Sequence, residues 1–276
     1  MNQPTITPQE FKLFREFIYE QTGIALAEHK ITLVQGRFSK RLRQLGLNSY
    51  REYYDYVRSD AGGEEIFQLI NAISTNVTHF FREPPHWEIM EERLPEILSR
   101  KRDKRLRIWS AASSTGEEPY SIAIFLRDKI KDFSSWDIKI LASDISQEVL
   151  QKAIAGIYDE KSVRNFPRQM LLHHFDTLKE KDGTKRYVVK DELKKLIMFR
   201  MFNLVTGDFS LFKNKFDMIF CRNVMIYFDP PTQQALVSRF AKMLEKKSLL
   251  FIGQSEALTR NKDEFQLIRA SVYERI

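Results

Sequence analysis

A chain of 276 residues with 43% hydrophobic and 29% charged side chains has the length and apolar content of one large or two modest globular domains, which excludes a disordered or fibrous class. No apolar run approaches the ~20 residues that cross a bilayer, the start MNQPTITPQEF lacks a basic-then-apolar signal segment, and the lone Cys221 excludes an internal disulfide and a cysteine metal cluster. A cytoplasmic protein is therefore expected, and with five scattered histidines at no ligand spacing, one that uses no metal.

Residues 1–72 read as all-helical. Thr7-Pro8-Gln9-Glu10 offers a cap, an N1 proline and a capping acid ahead of Phe11, Phe14, Phe17 and Ile18. Gly23, Gly46 and Gly62-Gly63 punctuate the helices that follow. Although this segment is neutral overall, Lys30 to Arg43 holds Lys30, Arg37, Lys40, Arg41 and Arg43 with no acid among them. At 100° per residue Ile31, Val34, Phe38, Leu42 and Leu45 share one side of a helix and the basic residues spread over the rest. Two readings stay open: an ordinary solvated face, or a docking surface steered toward an acidic partner.

Residues 73–105 read as a connector, ending in the basic stretch that begins at Arg100. From there strand and helix patterns alternate over 106–111, 118–131, 138–143, 146–154, 216–221, 232–245 and 248–253, which predicts an α/β domain over 106–276 with a mostly parallel sheet. Residues 156–200 break the alternation. Lys181-Asp182-Gly183-Thr184 is a turn signal and Arg186 opens a short strand, so a small antiparallel β insert is expected there. The run from Phe265 to Arg275 alternates imperfectly and reads as an antiparallel edge strand.

The most informative stretch is Leu106 to Ser121, LRIWSAASSTGEEPYS, followed about 30 residues on by ILASDIS ending near Asp144. Strand, tight turn, helix and a strand tipped with an acid form a nucleotide-binding βαβ unit, in which the acid commonly accepts from ribose hydroxyls. A plain helix cap is the alternative for Asp144. The turn has one glycine, Gly116, and two carboxylates, Glu117 and Glu118, in place of G-x-G-x-x-G. A pyrophosphate would be repelled there and an ammonium held. A nucleoside carrying positive charge fits, and S-adenosylmethionine is one. Either acid can instead be a first-turn residue favoured by the helix macrodipole, and one of the two is expected to do only that.

Four blocks, STNVTHFFRE (Ser74 to Glu83), WSAASSTGEEPYS, FDMIFCRNVMIYFD (Phe216 to Asp229) and LLFIGQSEAL (Leu249 to Leu258), together resemble the chemotaxis receptor methyltransferases of the CheR family, in that family's order. The resemblance covers nearly the whole chain. It implies a Rossmann-like methyltransferase sheet with a β insert behind an all-helical domain. It also implies methyl transfer from S-adenosylmethionine, leaving S-adenosylhomocysteine, to glutamate side chains on the cytoplasmic helices of chemoreceptors. The expected partner is that receptor domain, met by a monomer that reaches membranes only through receptors and binds no nucleic acid.

Carried over residue by residue, the resemblance assigns Asn76, Thr78, Arg82, Ala112, Glu117, Glu118, Asp144, Asn203, Leu204, Cys221, Arg222 and Asn223 to the cofactor. Arg82 and Tyr227 fall near the transferring methyl, and the basic Lys30–Arg43 helix falls on the receptor. Each has a plainer reading. Asn203 suits a turn as well as adenine, Cys221 suits packing or a backbone contact better than nucleophilic attack, and Tyr227 in MIYF suits the core. Departures from the family pattern are Ser113, Leu244-Glu-Lys-Lys-Ser-Leu for a Pro-Gly-Gly turn, and Gln254 for a histidine. Two rivals are weighed. A nucleic-acid methyltransferase is suggested by a pI near 9.3 and by Asp229-Pro230-Pro231, but Thr232 follows where a base-stacking aromatic belongs. A non-catalytic S-adenosylmethionine-binding adaptor is the other.

Overall fold

Thr7 caps the first helix as its spacing demands: its hydroxyl accepts from the Glu10 N–H at 3.2 Å while Glu10 accepts from the Thr7 N–H at 2.8 Å. The computed structural model describes residues 4–60, 63–73 and 76–276, so Gly62, Ser74 and Thr75 of the sequence motifs lie outside the described residues. Helices α1 (Pro8–Thr22), α2 (Ile31–Leu45), α3 (Tyr50–Ser59) and α4 (Glu64–Ile73) share one core. Phe14 sits at its centre, with ring centroids 4.9 Å from Phe38 and 5.5 Å from Tyr54. In α2 the expected side faces inward, with Val34, Phe38 and Leu42 fully buried.

Residues 73–105 are not a linker. They contain α5 (Pro84–Ser99), which buries Trp87, Ile89, Met90, Leu94 and Ile97 in the core of the α/β domain. Its apolar residues recur at helical spacing, but Pro84-Pro85 and an internal Pro95 disguise it as a loop.

The main sheet has seven strands in the order β6-β2-β1-β7-β8-β10-β9. Strands β1 (Arg105–Ala111), β2 (Asp137–Asp144), β6 (Ile197–Met201), β7 (Phe216–Cys221) and β8 (Leu244–Ile252) are parallel. Every residue of β7 is buried, as expected of a central parallel strand covered on both faces by helices. Helices α6 (Glu117–Lys129), α7 (Gln147–Ala155) and α11 (Pro230–Met243) fill the expected positions.

The insert is smaller than 156–200. Strands β3 (Ile157–Asp159), β4 (Phe175–Lys179) and β5 (Lys185–Val189) make a separate antiparallel sheet, joined by the short helices α8 (Glu160–Val163) and α9 (Arg168–His174) and followed by α10 (Asp191–Lys194). Ile197–Met201 belongs instead to the edge of the main sheet, beside β2. Five residues at a half-exposed edge give no clear alternation. The C-terminal run is two strands, β9 (Phe265–Arg269) and β10 (Val272–Arg275), turned by Ala270 and Ser271 at φ 46° and 62°. Left-handed backbone without glycine or asparagine hides that turn from sequence. The departure at 244–249 lies within β8, where the register against β7 shifts. No described helix is long and apolar enough to cross a membrane.

Candidate active site

A cavity of about 410 Å³ opens where the carboxyl ends of β1, β2 and β7 meet the helical domain. Ligands bind at this edge of α/β sheets. The first turn is bent to reach it. Ala112 and Ser114 are left-handed at φ 75° and 48°, and the N–H groups of Ala112 and Ser113 both donate to the Ser143 carbonyl at 2.8 Å. Gly116 at φ 97° lets α6 start against α7: a Cβ there would stand 2.9 Å from the Ala153 methyl and the Tyr158 hydroxyl.

Asp144 closes the turn. Its carboxylate accepts from the Ser114 and Ser146 N–H groups, each at 2.9 Å, and still borders the cavity. Burial pushes this carboxyl up, and the backbone N–H groups pull it back. The cap of α7 is Ser146, which accepts from the Val149 N–H. Asp144 therefore organises the turn and faces the cavity, with acceptor capacity to spare.

The two glutamates separate. Glu118 borders the cavity and accepts from the Ser110 hydroxyl at 2.6 Å and from Arg222 Nη1 at 3.2 Å. Glu117 does not border it. Its carboxylate takes the Thr115 hydroxyl at 2.6 Å and is buried near Asp159, which corrects its assignment to the cofactor. Side-chain direction on the first turn of α6 decides between neighbours that sequence cannot tell apart.

Arg222, only 2% exposed, lies between Glu118 and Glu83 (3.2 and 3.1 Å) and also donates to the Arg82 carbonyl at 2.5 Å. One guanidinium between two carboxylates leaves this three-residue cluster one negative charge in excess, which suits a cationic group beside Glu118. Burial would raise Glu83, but Arg222, the Asn223 amide and the Gln254 N–H hold it below the usual range. Burial and the nearby Arg222 drive His86 down to about 4, so it stays neutral beside them.

Asn76, Thr78, Arg82, Ala112, Leu204, Arg222, Asn223 and Tyr227 all border this cavity. Arg82 is steadied by donating to the Val77 carbonyl at 3.0 Å, and the Tyr227 hydroxyl bonds to no described residue. Asn203 borders it too, but its amide is engaged: Nδ2 donates to the Gln21 carbonyl at 2.7 Å, and Oδ1 accepts from Val205 and Thr206. The turn reading holds for its side chain, which leaves only the backbone of Asn203–Leu204 to present to the cavity. Cys221 does not border the cavity. It is fully buried in the sheet core and its thiol is pushed well up by burial, so its assignment to the cofactor is corrected.

The basic helix is corrected in part. Arg37 donates to the Ala72 and Ile73 carbonyls at 3.1 and 2.6 Å, and Arg41 forms a two-pronged bond to buried Glu65. Both tie α2 to α4. Lys30, Lys40 and Arg43 are exposed, and Lys30, in the turn before α2, borders the cavity.

Sequence reasoning missed Glu83 and the contribution of the α1–α2 loop. Glu83 closes the STNVTHFFRE block but gained no role from sequence, because the partners that bring it to the site, Arg222 and Asn223, lie 139 and 140 positions on. The loop pairs Ile24 with Phe228 and donates the Ala25 N–H to the Tyr227 carbonyl at 2.8 Å, while Tyr19 donates to Asp229 at 2.8 Å.

A carboxylate-bearing first turn and an acid on the next strand, both bordering the cavity, fit S-adenosylmethionine better than any pyrophosphate. The fold and site define an S-adenosylmethionine-dependent methyltransferase. The chain belongs to the CheR methyltransferase family: residues 9–74 match its all-alpha domain and residues 76–274 its SAM binding domain. Among its relatives, a probable chemotaxis protein methyltransferase of Rhizobium etli is 43% identical over 88% of this chain and 90% of its own length. Chemotaxis protein methyltransferase 2 of Pseudomonas aeruginosa is 41% identical (97% and 93% covered), and the Escherichia coli chemotaxis protein methyltransferase 38% (97% and 91%).

Proposed function

We propose that the protein esterifies glutamate side chains on the cytoplasmic helices of chemoreceptors, acting as a cytoplasmic monomer that meets membranes only through those receptors. The observation that carries this reading is that Arg82 and Tyr227 border the same cavity as Asp144 and Glu118, with the exposed cation Lys30 on its rim. When bound, S-adenosylmethionine supplies a methyl carbon made electrophilic by its sulfonium. Asp144 holds the ribose, Glu118 the ammonium, and the backbone at Asn203–Leu204 the adenine. A substrate carboxylate, with an ordinary pKa of about 4.3, is already ionised at neutral pH, so the protein supplies no general base. Its work is alignment and exclusion of water. Arg82 orients the carboxylate, and the Tyr227 hydroxyl donates a hydrogen bond without neutralising it. Tritiated methyl transfer to receptor-containing membranes, followed by mapping of base-labile methyl esters, tests the assignment; labelling that resists base would defeat it.

Arg82→Ala and Tyr227→Phe are expected to lower the methylation rate while changing cofactor affinity little, since an interaction made only in the transition state affects kcat. Either variant turning over at the full rate with saturating substrate would end its catalytic role.

Receptor docking is assigned to the exposed Lys40 and Arg43. Reversing both to glutamate is expected to raise KM for receptor and leave cofactor affinity alone, and wild-type methylation should slow with added salt. Rates indifferent to both salt and reversal would remove docking from α2. A nucleic-acid substrate is disfavoured for a local reason as well. Asp229-Pro230-Pro231 is used as a helix start, the Asp229 carboxylate accepting from the Thr232 N–H at 2.9 Å.

A further inference from the structure

Asn223 follows β7 in left-handed backbone, φ 58°, and borders the cavity. Two carboxylates hold it, the buried Glu256 and the part-buried Glu83. Glu256 accepts from the Asn223 N–H at 3.0 Å and, with the same oxygen, from the Gly253 N–H at 2.6 Å; its other oxygen takes the Ile226 N–H at 3.2 Å. Glu83 accepts from the Asn223 side chain at 3.1 Å. A carboxylate held below the usual range only accepts, so the atom facing Glu83 is the amide nitrogen. That fixes the amide's polarity and leaves Oδ1 buried with no hydrogen-bond partner. A buried acceptor is costly to leave unmet, so a donor is expected to reach it. The packing leaves no slack: a Cβ at Gly253 would stand 2.5 Å from Asn223 Nδ2 and 2.9 Å from both the Asn223 nitrogen and the Glu256 oxygen.

We infer that Glu256 and Glu83 are positioning residues that aim the Asn223 amide oxygen at the ammonium of the cofactor's amino-acid end. The inference rests on Asn223 belonging to the cofactor wall. Glu256 does not border the cavity and acts through Asn223; Glu83 sets which end of the amide is presented.

Calorimetry with two ligands tests it. S-adenosylhomocysteine carries the amino-acid end and 5′-methylthioadenosine lacks it. Asn223→Gly keeps the left-handed backbone and removes the amide. It is expected to weaken S-adenosylhomocysteine about tenfold or more while 5′-methylthioadenosine stays within about twofold. Glu256→Ala should show the same selective loss, and the double variant should lose no more than the larger single, as for residues acting through one contact. If Glu256→Ala fails to fold, Glu256→Gln, which keeps one acceptor oxygen, should show the same selectivity. Equal losses for both ligands, additive losses in the double variant, or unchanged S-adenosylhomocysteine affinity would overturn the inference. Neither ligand donates a methyl group, so the result is independent of which side chain is methylated.

Discussion

Replacing Arg41 by glutamate is expected to destabilise the helical domain by about 3–5 kcal/mol, the usual cost of stripping a buried charge of its partner. Glu65 is 4% exposed and its carboxylate takes Arg41 Nε at 2.7 Å, Arg41 Nη2 at 2.6 Å and the Tyr53 hydroxyl at 3.0 Å. Removing the guanidinium leaves a charge with one neutral donor, and adding a carboxylate repels it. A shift of the urea midpoint with an unchanged slope would measure this directly. An unmoved midpoint would mean that the pair contributes little. Arg41→Lys should lie between, because an ammonium cannot make the two-pronged bond. Lost receptor methylation in an Arg41 variant would therefore report a loosened domain, not a lost docking contact.

Asp144→Ala is expected to weaken cofactor binding about tenfold or more, about 1.4 kcal/mol, through loss of the acceptors for the ribose. The fold should suffer too. The Ser114 and Ser146 N–H groups both donate to this carboxylate inside the protein, and each buried donor left unmet costs about 1–3 kcal/mol. Asp144→Asn separates the two effects, since its single amide oxygen can still serve one N–H. Calorimetry at a temperature where the variant is folded gives the binding part, and thermal unfolding the rest. Unchanged affinity in a folded Asp144→Ala protein would remove Asp144 from the site.

How far sequence reaches depends on whether the relevant physics is local. The cap at Thr7, the inward side of α2 and the largely apolar, wholly buried β7 are written in contiguous residues, and each stands as expected. Asp144 was legible because a strand end places its side chain. What was not legible involves distant partners. Arg41 looks like any basic helical residue until Glu65, 24 positions on, folds against it. Asn203 looks free until Gln21, from the other end of the chain, occupies its amide. Glu117 and Glu118 differ only in which way a helix turn points them. Prolines hid α5, and left-handed Ala270 and Ser271 hid a hairpin, because each departs from the residue statistics of its own element.

The seam between the two domains constrains how the chain can be recombined. The family divides between residues 74 and 76, yet Ile24 pairs with Phe228, Ala25 holds the Tyr227 carbonyl, Tyr19 reaches Asp229, and a Cβ at Gly23 would lie 2.6 Å from Val205. Those contacts tie the segment 19–25 to the loops at 203–205 and 227–229, so a change on one side of the seam is felt on the other. A chimera that takes its helices from one relative and its sheet from another would need matched residues on both sides of the seam before the cavity regained its shape.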